Sequence, residues 1–445
     1  MSYTPRHYGC TLWRRAAFVI AVLLVCSALL GGCGGGGGDA DGAAVTDDWE
    51  QPGGRWHPVI EGRLTSEQLE EVERLRSLGY LSGSAEMPDV WGITVYDSSK
   101  TWDGLNFYTS GHSAGATLMD MDGNVLHEWS HSFMDAWRAG PGGELPKSSK
   151  GSGFWRRAYL FPNGDVLAIF DGHAIIKVDR DSRLIWAQFG GFHHDLDVME
   201  DGRIYTLLRE PGIVPRINPD HPILEEFVVV LDSEGNELER VSQLEAIERS
   251  GRLDLLEGMK ESGDIFHTNT IEVLDGRLAG RDPAFRAGNV LICIRELDNL
   301  AILDMDQRTV VWGLEGPWLK QHQSTILDNG HMLIFDNGGS RPASRVLEFD
   351  PLTREIVWVY KSDDDNLFFS QRCGSNQRLP NGNTLISETD RGRAFEVTHD
   401  HETVWEYINP AQTGAESQYI ASLFEVIRIP TDYAAGWLDP VARGQ

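Results

Sequence analysis

The chain has 445 residues, 67 of them acidic against 39 Lys and Arg, for a formal net charge of −28 at pH 7. So acidic a body excludes nucleic acid and anionic lipid headgroups as expected partners. The five cysteines have neither Cys-x-x-Cys nor Cys-x-x-Cys-His spacing, which argues against a thiol-redox enzyme or a c-type haem protein.

Residues 1–32 carry Arg6, Arg14 and Arg15 and no acid, followed by the apolar run AAFVIAVLLVCSALL. At about 15 residues the run is short for a membrane span and fits the apolar region of a signal peptide. Leu30-Gly31-Gly32-Cys33 resembles a bacterial lipobox, so Cys33 is expected to be lipidated as the first residue of the mature protein. Loss of the three arginines would take the formal charge from −28 to −31. The expected location is outside the cytoplasm, on the periplasmic side or the cell surface, with the membrane a partner only through the lipid anchor. Residues 33–62 are rich in Gly and Asp and read as a flexible tether. Within residues 63–84, Thr65 to Leu78 reads as an amphipathic helix, with Thr65 and Gln68 in capping-box positions, Leu69, Val72 and Leu75 on one face, and Gly79 as its stop.

From about residue 90 the sequence repeats. Gln321 to Trp358 holds two strand pairs: STILDNGHMLIF turns at Asn329-Gly330, which accepts positive φ, and VLEFDPLTREIVW turns at Asp350-Pro351 and ends at Trp358. The second pattern occurs six times, beginning with ATLMDMDGNVLHEW and ending with AFEVTHDHETVW, and the first occurs five times. Four-stranded antiparallel units that cannot bury both faces alone stack radially. The expected fold is therefore an all-β, six-bladed β-propeller over residues 90–430, with one short helix before it and a tail over 431–445. The missing hairpin of blade one is expected from Trp91 to Thr109 together with Leu423 to Ile429, closing the ring with both chain ends. The tryptophans at blade ends read as packing between sheets, and a disulfide between Cys293 and Cys373, two blades apart, is not the expectation.

Candidate chemistry sits eight or nine residues before the glycine of each first hairpin. That slot holds Arg156 before Gly164, His193-His194 before Gly202, His267 before Gly276 and His322 before Gly330. Inner strands of a propeller start beside the central axis, so equivalent positions converge. One such histidine alone reads as structural; three slots in a row read as a functional cluster.

The phrases GDIFHTNTIEVL, KQHQSTILDNG and IFDNGGSR, in this order within the repeats, resemble the bacterial arylsulfate sulfotransferase family across most of Trp91 to Tyr433. The resemblance implies a periplasmic enzyme that moves a sulfuryl group from an aryl sulfate to a phenol without a nucleotide donor or other cofactor, through a sulfohistidine. By position it implies His267, His322 and Arg341 as active-site residues. The family's covalent nucleophile is a further histidine in a later blade, where this chain has Ser375, Asn376, Gln377 and Arg378. The nucleophile's role then falls to His322, His267 or the His193-His194 pair, or the transfer chemistry is absent. The expected catalytic set is His322, His267, His194 and Arg341, with His193, Asn269, Asn337, Arg156 and Arg378 binding substrate and no metal required.

Three other readings fit the same residues. A quinone-dependent propeller enzyme also carries tryptophan-bearing blades, but such folds typically have eight. A metal centre of His193, His194, His267 and His322, completed by Asp195, suits zinc or copper. A lipid-anchored propeller that binds an anion without turning it over needs only the basic axial pocket.

Overall fold

The computed structural model describes residues 64–76, 81–140, 142, 152–341, 343–362 and 367–438. The expected signal peptide, Cys33, the tether and Gly79 lie outside them, as does the tail beyond residue 438.

Six sheets form six blades, antiparallel throughout except that Gly263–Asp264 adds a short parallel pairing to Ile223–Leu231 in blade three. Their innermost strands are Leu423–Ile429, Arg157–Leu160, Phe192–Val198, Thr268–Val273, His322–Ile326 and Ser375–Arg378, for blades one to six. The hairpin that leaves each of the last five turns at a glycine with φ between 83° and 90°: Gly164, Gly202, Gly276, Gly330 and Gly382. Only glycine enters that region without a β-carbon penalty, and this is why the repeat was visible. The second strands Val166–Phe170, Val290–Ile294, Met332–Asp336 and Thr384–Glu388 are buried at every residue, whereas the outermost strand Val125–Ser130 is mostly open. The core therefore lies between the sheets.

The ring closes differently from expectation at one end. Leu423–Ile429 pairs with Leu105–Ser110 and becomes the inner strand of blade one, as the repeat required. Gly92–Tyr96 does not complete blade one. It pairs with Thr403–Ile408 as a fifth, outermost strand of blade six. With Leu423–Ile429 in place, blade one already has four strands, so the N-terminal strand covers the open edge of the last blade instead.

Two further helices accompany the expected one. The expected helix, α1, spans Ser66–Arg76 and buries Val72 and Leu75, with Thr65 and Gln68 bonded reciprocally as a capping box. Helices α2 (Phe133–Ala139) and α3 (Gln243–Ser250) lie in long connections between blades, each capped by a serine, Ser132 and Ser242. Both are inserts and carry no part of the repeat pattern.

Neighbouring blades are stitched at two radii. At the rim, the indole N–H groups of Trp129, Trp186, Trp358 and Trp405 donate to Gly164, Ser233, His399 and Met121 carbonyls of the next blade, at 2.8–3.0 Å. At the axis a closed polar belt runs through all six inner strands. Arg157 pairs with Glu425 on one side and with Asp195 (2.8 Å) on the other. Asp195 accepts the Ile271 amide, and Thr270 accepts the Gln323 amide. Asn376 donates to the Gln323 carbonyl, and Gln377 bonds both backbone groups of Arg428. Arg157 also reaches across the axis to Gln323 Oε1 at 3.4 Å. The belt plugs the central channel and satisfies backbone groups that the sheets leave unpaired.

Candidate active site

Every inner strand starts on the same face of the ring, so its first side chains meet at the axis above the belt. Arg156 precedes Arg157–Leu160, His193 and His194 stand within Phe192–Val198, His267 precedes Thr268–Val273, and His322 opens His322–Ile326. The His194 and His267 rings are 4.8 Å apart between centroids, and the His193 and His194 Nδ1 atoms 2.6 Å apart. His194, His267 and Gln323 hold left-handed backbone, with φ of 57°, 49° and 47°. Bulges interrupt the pairing of all three strands at these points. Such conformations cost residues with a β-carbon of order 1 kcal/mol or more and persist where the surroundings enforce them.

His322 is the best-defined member. Its Nδ1 faces two acceptors, the Asn337 Oδ1 at 2.7 Å and the Lys320 carbonyl at 3.1 Å. Asn337 cannot flip, because its Nδ2 donates to the Ser370 and Cys373 carbonyls at 2.7 and 2.8 Å. The ring proton is thereby fixed on Nδ1 and the lone pair on Nε2. That Nε2 is buried and has no hydrogen-bond partner among the described residues. Burial, reinforced by the nearby Arg295 and Arg156 guanidiniums, pushes the imidazole well below its ordinary range, so the ring is neutral at pH 7.

His267 differs. Its Nδ1 lies 2.5 Å from Asp264 Oδ2, and its side chain is 19% exposed. Burial raises the Asp264 carboxyl, but His267 and then Arg209 outweigh it and hold the group below the usual carboxylate range. His193 and His194 are buried, and burial pushes both imidazoles well below their ordinary range, with Arg209 adding to the effect on His193 and His267 to that on His194. His193 Nε2 is 3.3 Å from Glu226 Oε2, and burial raises the Glu226 carboxyl to about 8. Asp171 lies 3.7 Å from His194 Nδ1 and is paired with Arg209 at 3.2 Å.

The remaining expected residues divide. Arg156 is buried at the axis, its guanidinium 5.2 Å from the Phe424 ring centroid and its Nη2 3.8 Å from Cys373 Sγ. Asn337 orients His322. Asn269 is spent on structure, donating to the Gln321 carbonyl at 2.8 Å and accepting from Thr270. Arg341 is fastened to both oxygens of Asp336, at 2.9 and 2.7 Å, on a carboxylate that also holds Arg345. Arg378 sits at the turn end of its strand, bonded to Glu348 and the Gly382 carbonyl and stacked over Trp358, away from the histidines. Its place among substrate-binding residues is therefore corrected: strand starts, and not strand ends, face the axial site. Asp195, the suggested fifth metal ligand, belongs to the belt.

Sequence reasoning missed Asp264, Asp171, Glu226 and Arg209. Asp264 stood three residues before His267 in a phrase already singled out; the others come from second and third strands and second-strand loops, with no slot to mark them. Blade six offers no imidazole at this slot: Cys373 and Gly374 stand nine and eight residues before Gly382, and the Asn376 amide that follows is used by the belt. Cys293 and Cys373 are both buried, and no disulfide joins them.

The sequence model of the arylsulfotransferase (ASST) family matches residues 157–410, more than half of the chain. No curated protein matches. Among solved structures, a protein of unknown function from Bacteroides caccae is 12% identical, with a TM-score of 0.44, over 69% of this chain and 94% of that one. The WD40 propeller domain of Doa1 is 11% identical, with a TM-score of 0.40, over 79% and 96%.

Proposed function

The chain belongs to the arylsulfotransferase family, and on that premise we propose that it transfers a sulfuryl group from an aryl sulfate to a phenol, without a nucleotide donor, at the axial histidines. His322 is the nucleophile. The observation that carries this reading is the fixed ring of His322, with its proton held on Nδ1 by Asn337 and Lys320 and its Nε2 lone pair left without a partner among the described residues. A neutral imidazole with one bare nitrogen is what attack on sulfur needs.

In the first half-reaction Nε2 attacks sulfur, the bond from sulfur to the aryl oxygen breaks, and the leaving phenolate takes a proton from His267. In the second, the oxygen of the acceptor phenol attacks sulfur, the N–S bond breaks, and the phenol's proton passes to His267. Asp264 beside His267 supplies the counter-charge whenever that ring carries the proton. The two acceptors at His322 Nδ1 stabilise the positive charge that the ring gains on sulfation. Arg156, buried beside the histidines, faces the sulfuryl oxygens, and its local field outweighs the repulsion of an acidic body at short range.

The protein is further proposed to act outside the cytoplasm from a lipid anchor at Cys33, supported by the lipobox-like Leu30-Gly31-Gly32-Cys33. Labelled palmitate should enter the wild type and not Cys33→Ala.

The deciding experiment is turnover of an aryl sulfate with a phenol acceptor, with acid-free quenching and peptide mapping. The expected result is a sulfuryl increment on the His322 peptide, and a loss of about 100-fold or more in rate for His322→Ala. Inactivity of the wild type across a panel of aryl sulfates would favour an anion-binding propeller, and full activity of His322→Ala would remove the assignment.

A further inference from the structure

His193 and His194 are adjacent in one strand, yet their Nδ1 atoms meet at 2.6 Å. A regular strand sends neighbouring side chains to opposite faces, so the two rings can converge only because the bulge and the left-handed backbone at His194 turn the second one back. Two ring nitrogens this close share a proton, because two lone pairs alone repel; two nitrogen ligands of one tetrahedral zinc stand about 3.3 Å apart, so a cation takes the proton's place once the rings part by about 0.7 Å. A third donor stands beside them. Asp171 Oδ1 lies 3.7 Å from His194 Nδ1, and one donor atom from each of Asp171, His193 and His194 falls within 4.8 Å of the other two. All three residues are buried.

The surroundings have the form of a metal's outer sphere. Imidazoles that ligate a metal through one nitrogen ordinarily give the other N–H to a carboxylate, which fixes the tautomer. Glu226 Oε2 stands 3.3 Å from His193 Nε2, outside hydrogen-bond geometry but in the place that such a carboxyl would take. Asp171 is held, its Oδ2 by Arg209 at 3.2 Å and its Oδ1 by the His194 backbone amide at 3.3 Å. Asp171, Asp264 and the carboxyl of Glu226, which burial raises to about 8, share this corner with the guanidiniums of Arg209 and Arg156.

We propose that Asp171, His193 and His194 bind one transition-metal dication, with the ring of His267 on the side that remains open. Two imidazole nitrogens and one carboxylate oxygen are a donor set that suits zinc, which takes three protein ligands and an exchangeable fourth; magnesium and calcium prefer oxygen alone. The site is separate from the His322 nucleophile and its amide partner, and the metal is read without reference to sulfuryl transfer.

The test uses full-length protein stripped with a chelator and then given zinc or cobalt(II) before exhaustive dialysis. The expected result is one equivalent of retained zinc per chain, and for cobalt a visible absorption band of low-coordinate type that added zinc abolishes. Glu226→Gln should weaken zinc binding by about 10- to 100-fold, with circular dichroism unchanged. His193→Gln/His194→Gln should abolish retention. Should that double variant fail to fold, the wild-type cobalt band and its displacement still decide the matter. Only traces of zinc in the wild type with no cobalt band, or a full equivalent retained by a folded double variant, would overturn the site.

Discussion

His267 and His322 start neighbouring inner strands, and each presents Nδ1 to a side-chain oxygen, yet the two sites are chemically unlike. His267 faces the Asp264 carboxylate at 2.5 Å and is partly open to solvent, whereas His322 faces the Asn337 amide oxygen at 2.7 Å and is buried. A carboxylate is a counter-charge for an imidazolium; an amide oxygen is not. The repeat places the rings, and the partner's charge decides which ring can carry a proton through the reaction and which must stay neutral to attack. A repeat position therefore predicts proximity without predicting role.

The sharpest way to break the contrast is to give His322 the partner of His267. In Asn337→Asp a buried carboxylate would face Nδ1 and favour the charged ring. The wild-type ring, depressed by burial and by Arg295 and Arg156, remains neutral to well below pH 6.5, so its acid limb lies there. In the variant that limb should move to higher pH, and kcat/KM at pH 7 should fall by about 10- to 100-fold. An unchanged pH–rate profile would mean that the Nδ1 partner does not control the nucleophile.

The converse exchange, Asp264→Asn, removes the counter-charge from His267. Rates should fall by about 10-fold, and more for donors whose leaving phenol is a weak acid than for those with a strongly acidic one, because only the former need protonation as they leave. A loss equal across donors would place His267 outside the proton transfer.

Much of this was legible in the sequence because the turns repeat. The glycines at 164, 202, 276, 330 and 382 marked where each inner strand ends, and counting back from them found Arg156, His193, His194, His267 and His322. What counting could not find was the second contributor to each pair. Asp171, Arg209 and Glu226 reach the axis from the second strand and its neighbours, and their distances from His193 and His194 exist only once the sheet is paired. Arg378 was misplaced for a related reason. It lies in the same inner strand as Ser375, but three residues of extended chain carry it about 10 Å toward the opposite face.

Asp264 also makes a smaller prediction about stability. Its folded pKa lies below its unfolded value, so it contributes stability above about pH 4, and that contribution is lost as the pH falls through the folded value. Asp264→Asn should be less stable than the wild type at pH 7, by about 1–3 kcal/mol by denaturant titration. The gap should close progressively below about pH 4. A gap independent of pH would assign the loss to packing.

The smallest expected effect concerns the arginines around His322. Arg156 is buried, and its guanidinium is among the charges that depress the His322 imidazole; Arg341 is not among them. Arg341 is 38% exposed, and its guanidinium lies on Asp336, a buried carboxylate that Arg345 also binds at 2.6 Å and that accepts the amides of Leu319 and Gly338. With three other partners present, Asp336 keeps its charge satisfied when Arg341 is removed. A half-open ion pair of this kind contributes about 0–1 kcal/mol. Arg341→Ala should therefore leave the rate within about 3-fold of the wild type and shift stability by no more than that amount. A loss approaching that of His322→Ala would show that Arg341 leaves Asp336 when substrate binds, and would make the Asp336 pairing a resting position of a catalytic arginine.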